Sequence, residues 1–324
     1  MNNSLYKLTI LVVFFNGRRE AERTLHSLTT KYQLDAVPGS YKVMVLDSGS
    51  TEPLDPERIK SFGKYFEYHY VETNYPSPAE ALQKGLTFVD TPYVGISIDG
   101  ARMLSPGIIN GFFEILKIDK NPFVYTPRYY LGKYVQMDSV KRGYKKETED
   151  LLLNSVNWKE NGYHLFKISS IEQSEEYEYD ALGESNLFFC STKELRESEQ
   201  LDKPYYSLGG GLMNLDCFLF FTSHKHIKTY CLVGEATFHQ IHGGVVSNAK
   251  REESKLPQYR KEFFKINNST YHRITYDVNF YGHYNSITMS YLPKKGSETI
   301  NTFIEGCDLT ESEKIALDKF RNKT

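Results

Sequence analysis

The chain has 324 residues, of which 40% are hydrophobic and 14% aromatic, enough to bury a large core. Its formal net charge of -2 provides no chain-wide positive field, so the composition argues against nucleic-acid binding. The four cysteines, at positions 190, 217, 231 and 307, lack CxxC spacing and indicate free thiols, not a disulfide framework or a zinc site.

The amino terminus, MNNSLYKLTI, lacks the basic region and the cleavage site of a signal peptide. The longest apolar runs, LTILVVFF and CFLFF, are far shorter than a membrane-spanning helix. We therefore expect a cytoplasmic protein, either free or attached peripherally to the inner face of the membrane. The oligomeric state is not indicated by the sequence.

Strand and helix patterns alternate along the first half of the chain. Leu8 to Phe15 is a nearly continuous β-branched and aromatic run, typical of a strand buried on both faces. Arg18 to Lys31 places apolar residues on one helix face, namely Ala21, Leu25 and Leu28. Further strands are predicted at residues 41–46, 66–71 and 93–98, and further helices after the capping box Ser77-Pro78-Ala79-Glu80 and after Ser105-Pro106. This alternation predicts a mainly parallel sheet with helices on both faces.

Polar residues follow three of the predicted strands. Asn16, Asp47 and Asp99 each come directly after a buried run. Parallel sheets bind their ligands at the carboxyl ends of the strands. A single acid in such a place is often only a turn former or a helix cap, but two of them in one sheet favour a binding site.

The second half of the chain is less regular. Residues 141–150, KRGYKKETED, are highly charged and predict a solvated loop or helix. Beyond residue 250 the alternation of strands and helices is lost. We expect residues 1–250 to form the main domain and residues 251–324 an aromatic-rich appendage packed on it, ending in a short helix capped by Thr310-Glu311-Ser312-Glu313.

Several segments, in this order, resemble family 2 glycosyltransferases, which are enzymes of GT-A fold that transfer a sugar from a nucleotide-sugar donor. ILVVFFNGRREAERTLHSL resembles the opening strand and helix of the family, VMVLDSGST its nucleotide-binding strand end, and ISIDGAR its metal-binding Asp-x-Asp motif. LGESNLFFCSTKEL resembles the acceptor-side strand, and FHQIHGG a segment of one bacterial subgroup. The resemblance extends from residue 7 to residue 248. It implies an α/β fold of GT-A type, with a mainly parallel sheet flanked by helices and a small C-terminal appendage.

The resemblance implies a donor site at the ends of the first two strands, formed by Phe15, Asn16, Asp47, Ser48, Gly49 and Ser50. Asp47 would accept hydrogen bonds from the nucleobase or the ribose, and Gly49-Ser50 would supply a tight turn. Ser48 stands where the family usually has a second Asp, so the nucleobase stays open. Phe15 either lines the pocket or is a core aromatic.

The same resemblance implies that Asp99 and His239 bind a divalent cation, Mg²⁺ or Mn²⁺, beside the donor diphosphate. Ala101 replaces the second acid of the motif and cannot bind a cation, so the need for a metal stays open. Arg102 either pairs with donor phosphate oxygens or forms a salt bridge with Asp99 that has no catalytic role. His242, followed by Gly243-Gly244, is a second histidine for the metal or the diphosphate.

The general base has two candidates. YYSLGGGLMNLDCFLF stands in place of the family's acidic Glu-Asp-x-Asp segment, where Asn214 replaces the proposed catalytic Asp. Asp216 in this segment either acts as the base or caps the following helix, and Glu184 on the acceptor-side strand is the second candidate. Gly209, Gly210 and Gly211 would allow a mobile loop over a glycan or lipid-linked acceptor.

Three functions are compatible with these residues. The first is an inverting glycosyltransferase of polysaccharide or glycan synthesis. The second, favoured by Ala101 and Asn214, is a GT-A domain that has lost transfer and binds a nucleotide or a glycan. The third is a nucleotidyltransferase, for which FFNGRRE is a poor version of the expected glycine-rich basic loop.

Overall fold

The computed structural model describes residues 6–171, 183–243, 255–272, 274–291 and 310–315, apart from the side chains of residues 183, 184 and 289–291. The strands are β1 Leu8–Phe14, β2 Tyr41–Ser48, β3 Phe66–Val71, β4 Tyr93–Ser97, β5 Arg102–Leu104, β6 Pro122–Leu131, β7 Ser169–Ile171, β8 Gly183–Ser191, β9 Lys228–Val233, β10 Thr237–His239 and β11 Asn279–Gly282. The α-helices are α1 Arg18–Ser27, α2 Pro56–Lys60, α3 Ala79–Phe88, α4 Ile108–Ile118, α5 Gln136–Lys141, α6 Lys146–Asn154, α7 Thr192–Glu197, α8 Met213–Ser223, α9 Leu256–Asn267 and α10 Ser286–Tyr291.

The main sheet has the strand order β11-β9-β6-β8-β4-β1-β2-β3. Its strands are parallel to their neighbours except β8, which is antiparallel to both β4 and β6. The far half of β6 continues into a smaller sheet, where it pairs with β7 and with β10, and β10 pairs in turn with β5. The predicted α/β class, with a mainly parallel sheet, is confirmed.

Alternate residues of the central strands face the two sides of the sheet, and each side has its own apolar cluster. On one side, Leu11, Val13, Met44 and Leu46 pack with residues of α3, α8 and α9. On the other, Ile10, Val12, Val43 and Val45 pack with residues of α1 and α4. The strands are apolar on both faces because both faces are covered, as the continuous run from Leu8 predicted.

Two helix ends differ from their predictions. Helix α1 buries Ala21, Leu25 and Leu28 as expected, but its α-helical part ends at Ser27, not at Lys31. Helix α3 begins at Ala79, whose N–H donates to Ser77 Oγ at 3.2 Å. The predicted capping box is not formed, because Glu80 instead accepts hydrogen bonds from the backbone N–H groups of residues 74 and 75.

The prediction that residues 141–150 form a solvated loop or helix is wrong in part. It contributes the end of α5 and the start of α6, and several of its charged side chains are exposed. Glu149, however, is fully buried and faces Arg19 and Arg23 of α1. A charged pattern alone does not show a partner that lies elsewhere in the chain, and this is why the run looked uniformly solvated.

Beyond residue 250, α9 and β11 both contact the main sheet. Tyr259 and Phe263 of α9 belong to the core, and β11 pairs with β9. The backbone is helical over 311–315, and Thr310 and Glu313 cap this turn reciprocally. The domain boundary at residue 250 stays a prediction.

Cys190, Cys217 and Cys231 are buried free thiols, as expected. In the part of the chain that the structure describes, none of the helices has both the length and the apolar character required to cross a bilayer.

Candidate active site

The carboxyl ends of β1, β2 and β4 bring the predicted polar residues to one edge of the sheet. Strand β1 lies between β2 and β4, with Phe14 beside Asp47 and Val12 beside Ser97. The chain therefore leaves β1, β2 and β4 at neighbouring points, through Asn16, Asp47 and Asp99. This is the position at which open α/β sheets bind their ligands.

Asp99 lies within a cluster of nitrogen-containing side chains. Its Oδ2 is 3.0 Å from His239 Nε2 and 3.4 Å from Arg102 Nε, and its Oδ1 is 3.7 Å from His242 Nε2. The two imidazole Nε2 atoms are 3.1 Å apart. Both alternatives for Arg102 stay open, since a guanidinium that pairs with Asp99 could also face a diphosphate.

The small sheet explains how residues so far apart in sequence meet. Strand β10 runs antiparallel to β5 and places His239 directly opposite Arg102. On its other side β10 runs parallel to β6 and places His239 beside Tyr130, whose ring is 5.6 Å from the imidazole. Tyr130 was not predicted as a site residue, because a long buried strand such as β6 carries no signal that separates a site residue from the core.

The charge states of the cluster follow from its burial and its pairing. Burial, the largest influence, raises the pKa of Asp99, but His242, His239 and Arg102 lower it, and the result is a pKa well below the usual range. Burial and then Arg102 lower the pKa of His239 to about 4, against the opposing effect of Asp99. At neutral pH Asp99 is thus a carboxylate and His239 a neutral imidazole, the forms that bind metals.

Asp99, His239 and His242 could hold a divalent cation. One ligand atom from each lies within 4.8 Å of the others. A carboxylate with two imidazoles suits a transition metal such as Mn²⁺ better than Mg²⁺, which prefers oxygen ligands. Ala101 supplies no ligand atom, but its N–H donates to Asp99 Oδ1 at 3.0 Å and helps to orient the carboxylate.

The turns that follow β1 and β2 are tied together next to this cluster. Asn16 has a left-handed backbone, with φ 50°, and its N–H donates to Ser50 Oγ at 2.8 Å. Gly49 has φ +66°, and a Cβ there would lie 2.6 Å from Thr73 Oγ1. Only glycine fits this turn without strain, which agrees with the tight turn predicted at Gly49-Ser50.

The two carboxylate oxygens of Asp47 differ in their hydrogen bonding. Its Oδ2 accepts hydrogen bonds from Leu54 N at 2.7 Å and from Tyr68 Oη at 3.1 Å. Its Oδ1 is buried and has no hydrogen-bond partner among the described residues. A buried carboxylate oxygen without a donor fits an N–H or O–H group brought by a ligand.

The remaining donor-site candidates differ in exposure. Phe15 is 55% exposed, so its alternative as a core aromatic is wrong, and a ligand can reach its ring. Ser48 is buried, and its hydroxyl lies 3.4 Å from the Ser77 carbonyl oxygen, where it links β2 to the loop before α3.

Asp216, the first candidate for the general base, is buried near the start of α8. Its Oδ2 accepts hydrogen bonds from Lys203 Nζ at 2.7 Å, Tyr205 Oη at 2.7 Å and Asn267 Nδ2 at 3.2 Å. Asp216 does not cap α8, whose N-cap is Leu212 without a side-chain cap hydrogen bond, so that alternative is wrong. The network instead gives Asp216 a structural role, because it holds α8 and α9 together. Asn214 donates to Ser185 Oγ at 2.9 Å and so contacts strand β8.

Strand β8 carries the second candidate, Glu184. The strand runs antiparallel to β4, and Ile98 N donates to Asn186 O at 2.9 Å. The backbone of Glu184 therefore lies near the carboxyl end of β4, while its side chain is outside the described residues, as is all of Gly244.

Gly209, Gly210 and Gly211 all have positive φ angles. The N–H of Gly209 donates to Pro76 O at 2.8 Å, and the N–H of Gly210 donates to Ser207 O at 2.8 Å. The three glycines are therefore needed for a specific backbone path, and the predicted mobility over the acceptor stays a prediction.

Neither a protein-family model nor a curated protein matches the chain by sequence. Among solved structures, S. aureus TarS 1-349 is similar, with a TM-score of 0.50 and 13% identity over 98% of this chain and 71% of that chain. The complex of TarS 1-349 with UDP gives a TM-score of 0.43 and 13% identity, over 95% of this chain and 68% of that chain. The structure of TarS gives a TM-score of 0.42 and 14% identity, over 98% of this chain and 43% of that chain. The first of these likenesses shows a shared fold and supports the predicted GT-A arrangement.

Proposed function

We propose that the chain is a family 2 glycosyltransferase that transfers a sugar, with inversion, from a nucleoside-diphosphate donor to a hydroxyl group of a glycan or lipid-linked acceptor. The observation that carries the proposal is the cluster of Asp99, Arg102, His239 and His242 beside the Asp47 turn. In this arrangement, a site for a diphosphate and its cation lies next to a site for a nucleoside, at one edge of the sheet.

In the donor half, Asp47 Oδ1 would accept a hydrogen bond from the nucleobase or ribose, beside the exposed ring of Phe15. Asp99, His239 and His242 would hold a divalent cation, which when bound neutralises charge that develops on the departing diphosphate. Arg102, almost wholly buried beside Asp99, would add positive charge at the same place. Fixing the donor between these groups would hold its anomeric carbon in position for attack by the acceptor.

Glu184 is the better proposal for the general base, because Asp216 already accepts three hydrogen bonds in a buried network. Glu184→Gln should then lower transfer about 100-fold or more while donor binding is kept. Asp216→Asn should mainly lower the melting temperature. The reverse pattern would assign the base to Asp216.

The alternative is a domain that binds a nucleotide or glycan without transfer. Ala101 removes one expected metal ligand, and Asn214 uses its amide to bind Ser185 and Asn186. The residues at these two positions favour a domain that binds without transfer.

Incubation with a panel of nucleotide sugars, with and without Mn²⁺, distinguishes these functions. TarS has been crystallised with UDP and with UDP-GlcNAc, so uridine nucleotides are the first to test. We expect metal-dependent hydrolysis or transfer, and a loss of about 100-fold in Asp99→Asn. Asp90→Asn is the matched control, because Asp90 pairs with Lys42 at the opposite edge of the sheet. Binding without turnover in the presence of a range of acceptors would favour the binding domain.

A further inference from the structure

The backbone of Ile241, next to His242, is held on both sides by charged side chains. Glu149 Oε2 accepts a hydrogen bond from the backbone N–H of Ile241 at 2.6 Å. Arg19 Nη1 donates to the carbonyl oxygen of the same residue at 3.3 Å. Ile241 lies in the short segment between His239 and His242, so its position limits the distance between the two imidazoles.

Glu149 is fully buried, and hydrogen-bond donors surround its carboxylate. While Oε2 binds Ile241, Oε1 accepts from Arg19 Nη2 at 3.1 Å and from Arg23 Nη1 at 3.2 Å. Asp150, which is partly exposed, contacts the same two arginines but forms no hydrogen bond with Ile241. Burying a carboxylate is costly unless its partners are all in place, so this arrangement is held tightly.

Gln240, the other residue between His239 and His242, is fixed from the same side. The N–H of Gln240 donates to the carbonyl oxygen of Ala101 at 2.9 Å. Gln240 Nε2 donates to Thr24 Oγ1 at 3.0 Å, and Thr24 Oγ1 donates to the carbonyl oxygen of Gly100 at 2.6 Å. Helix α1 thus links the segment after Asp99 to the segment after His239.

The Nε2 atom of the His239 ring faces Asp99 and His242, but its second ring nitrogen has no such support. A metal-binding histidine usually donates its second ring N–H to a carboxylate or a carbonyl group, and this bond orients the ring. His239 Nδ1 is buried and has no hydrogen-bond partner among the described residues. Apart from these contacts and the ring of Tyr130, the position of the imidazole depends on the path of its backbone.

We propose that Glu149 and Arg19 are positioning residues that set the separation of His239 and His242 and thereby the affinity of the site for a divalent cation. The inference rests on the proposed function, since it concerns the same metal site. It also gives a role to α6, whose charged sequence looks like an ordinary solvated helix.

Two matched pairs of variants test the proposal with Mn²⁺ alone as the probe, at pH 8. Glu149→Gln places an NH₂ group against either Ile241 N–H or the arginines, whereas Asp150→Asn removes the same charge without touching Ile241. Arg19→Lys loses the bond to the Ile241 carbonyl oxygen, whereas Arg23→Lys changes only the contacts to the two acids. If Glu149→Gln does not fold, the comparison of Arg19→Lys with Arg23→Lys still tests the proposal.

Mn²⁺ affinity measured by electron paramagnetic resonance should fall about 10-fold or more in Glu149→Gln and Arg19→Lys, and stay within about 3-fold in the two controls. The imidazole ¹⁵N signals of His239 and His242 in the metal-free protein should shift in the same two variants only. Equal affinities and unshifted signals in all four variants would overturn the proposal. A wild-type protein that binds no Mn²⁺, with histidine signals that do shift, would instead overturn the metal site of the proposed function.

Discussion

Asp47 and Asp99 end two strands of one sheet, yet their carboxylates have different surroundings. Asp47 is fully buried and binds the neutral donors Leu54 N–H and Tyr68 hydroxyl. Asp99 is partly exposed and faces His239 and Arg102. A buried carboxylate with a spare acceptor suits recognition of a neutral N–H or O–H, whereas one that faces basic groups suits charge stabilisation. Mutation should therefore separate the two roles.

Asp47→Asn should weaken binding of the preferred nucleoside diphosphate about 10-fold, because the amide presents one acceptor oxygen where the carboxylate presents two. Mn²⁺ binding should not change. Titration calorimetry measures both, with Asp55→Asn at the exposed N-cap of α2 as the control. A parallel loss of Mn²⁺ affinity in Asp47→Asn would show that the two roles are not separate.

Glu149 should make stability depend on pH. Burial raises its pKa to about 7, against the lowering effects of Ile241 N–H, Arg19 and Arg23. A carboxyl group whose pKa is raised on folding stabilises the protein fully below its unfolded pKa, and this contribution is lost as pH rises through 7. The difference in unfolding free energy between wild type and Glu149→Gln should thus fall by about 2–3 kcal/mol from pH 5 to pH 8.

Chemical denaturation of the two proteins across this pH range measures that difference. Asp150→Asn should keep the wild-type dependence in this window, because the pKa of Asp150 is lowered and not raised. A wild-type curve parallel to that of Glu149→Gln would show that Glu149 stays ionised throughout.

At the level of single residues, the sequence predicts the site unevenly. Asp99 and His239 were paired by resemblance to a family pattern, and the structure places them 3.0 Å apart. Glu149 was missed, because its burial depends on Arg19 and Arg23 of another helix. A pattern read along one segment cannot show a partner that only the tertiary fold supplies.

Helix α9 holds residues 206–208, which lead into the three glycines at 209–211. Glu262 Oε1 accepts hydrogen bonds from Tyr206 N at 3.0 Å and Ser207 N at 2.8 Å, and Tyr259 Oη donates to Leu208 O at 2.7 Å. The ring of Tyr206, which is 40% exposed, stacks on Tyr75 with centroids 4.0 Å apart. The helix thus fixes the backbone that leads into α8.

Glu262→Ala should loosen this segment, since two backbone N–H groups lose a charged acceptor. We expect the amides of Tyr206 and Ser207 to exchange hydrogen about 10-fold faster, as measured by mass spectrometry. Lys261→Ala, on the neighbouring exposed position of α9, should leave the exchange unchanged. Equal exchange in both variants would mean that the glycine backbone holds its path without α9.

At the scale of elements, the first four strands were predicted, whereas the ten-residue β6 and the three-residue β5 and β10 were not. Strands β1, β2, β3 and β4 were found within about two residues, because each is a buried apolar run. Strands β5 and β10 have three residues each and exist through their pairing with each other and with β6. Strand β10 aligns His239 with Arg102. The site is therefore assembled by the elements that have the weakest sequence signal.

Across the whole molecule, described residues beyond 250 contact the main sheet, among them those of β11 and α9. Strand β11 pairs with β9 and extends the sheet by one strand. Helix α9 buries Tyr259 and Phe263 against the same apolar cluster as α3 and α8. Both observations lead us to expect that the domain predicted for residues 1–250 needs these elements for its stability, even though the family resemblance ends at residue 248.

Neighbouring phenylalanines of α9 provide the test. Phe263 is 1% exposed and Phe264 is 49% exposed, so the two substitutions by alanine remove the same group from the core and from the surface. Phe263→Ala should lower the unfolding free energy by about 3–5 kcal/mol, and Phe264→Ala by less than about 0.5 kcal/mol. A chain ending at residue 250 should then melt at a lower temperature than Phe263→Ala, because it also loses Tyr259 and β11. If the shortened chain melts like the full one and Phe263→Ala has no more effect than Phe264→Ala, residues 251–324 are an independent appendage.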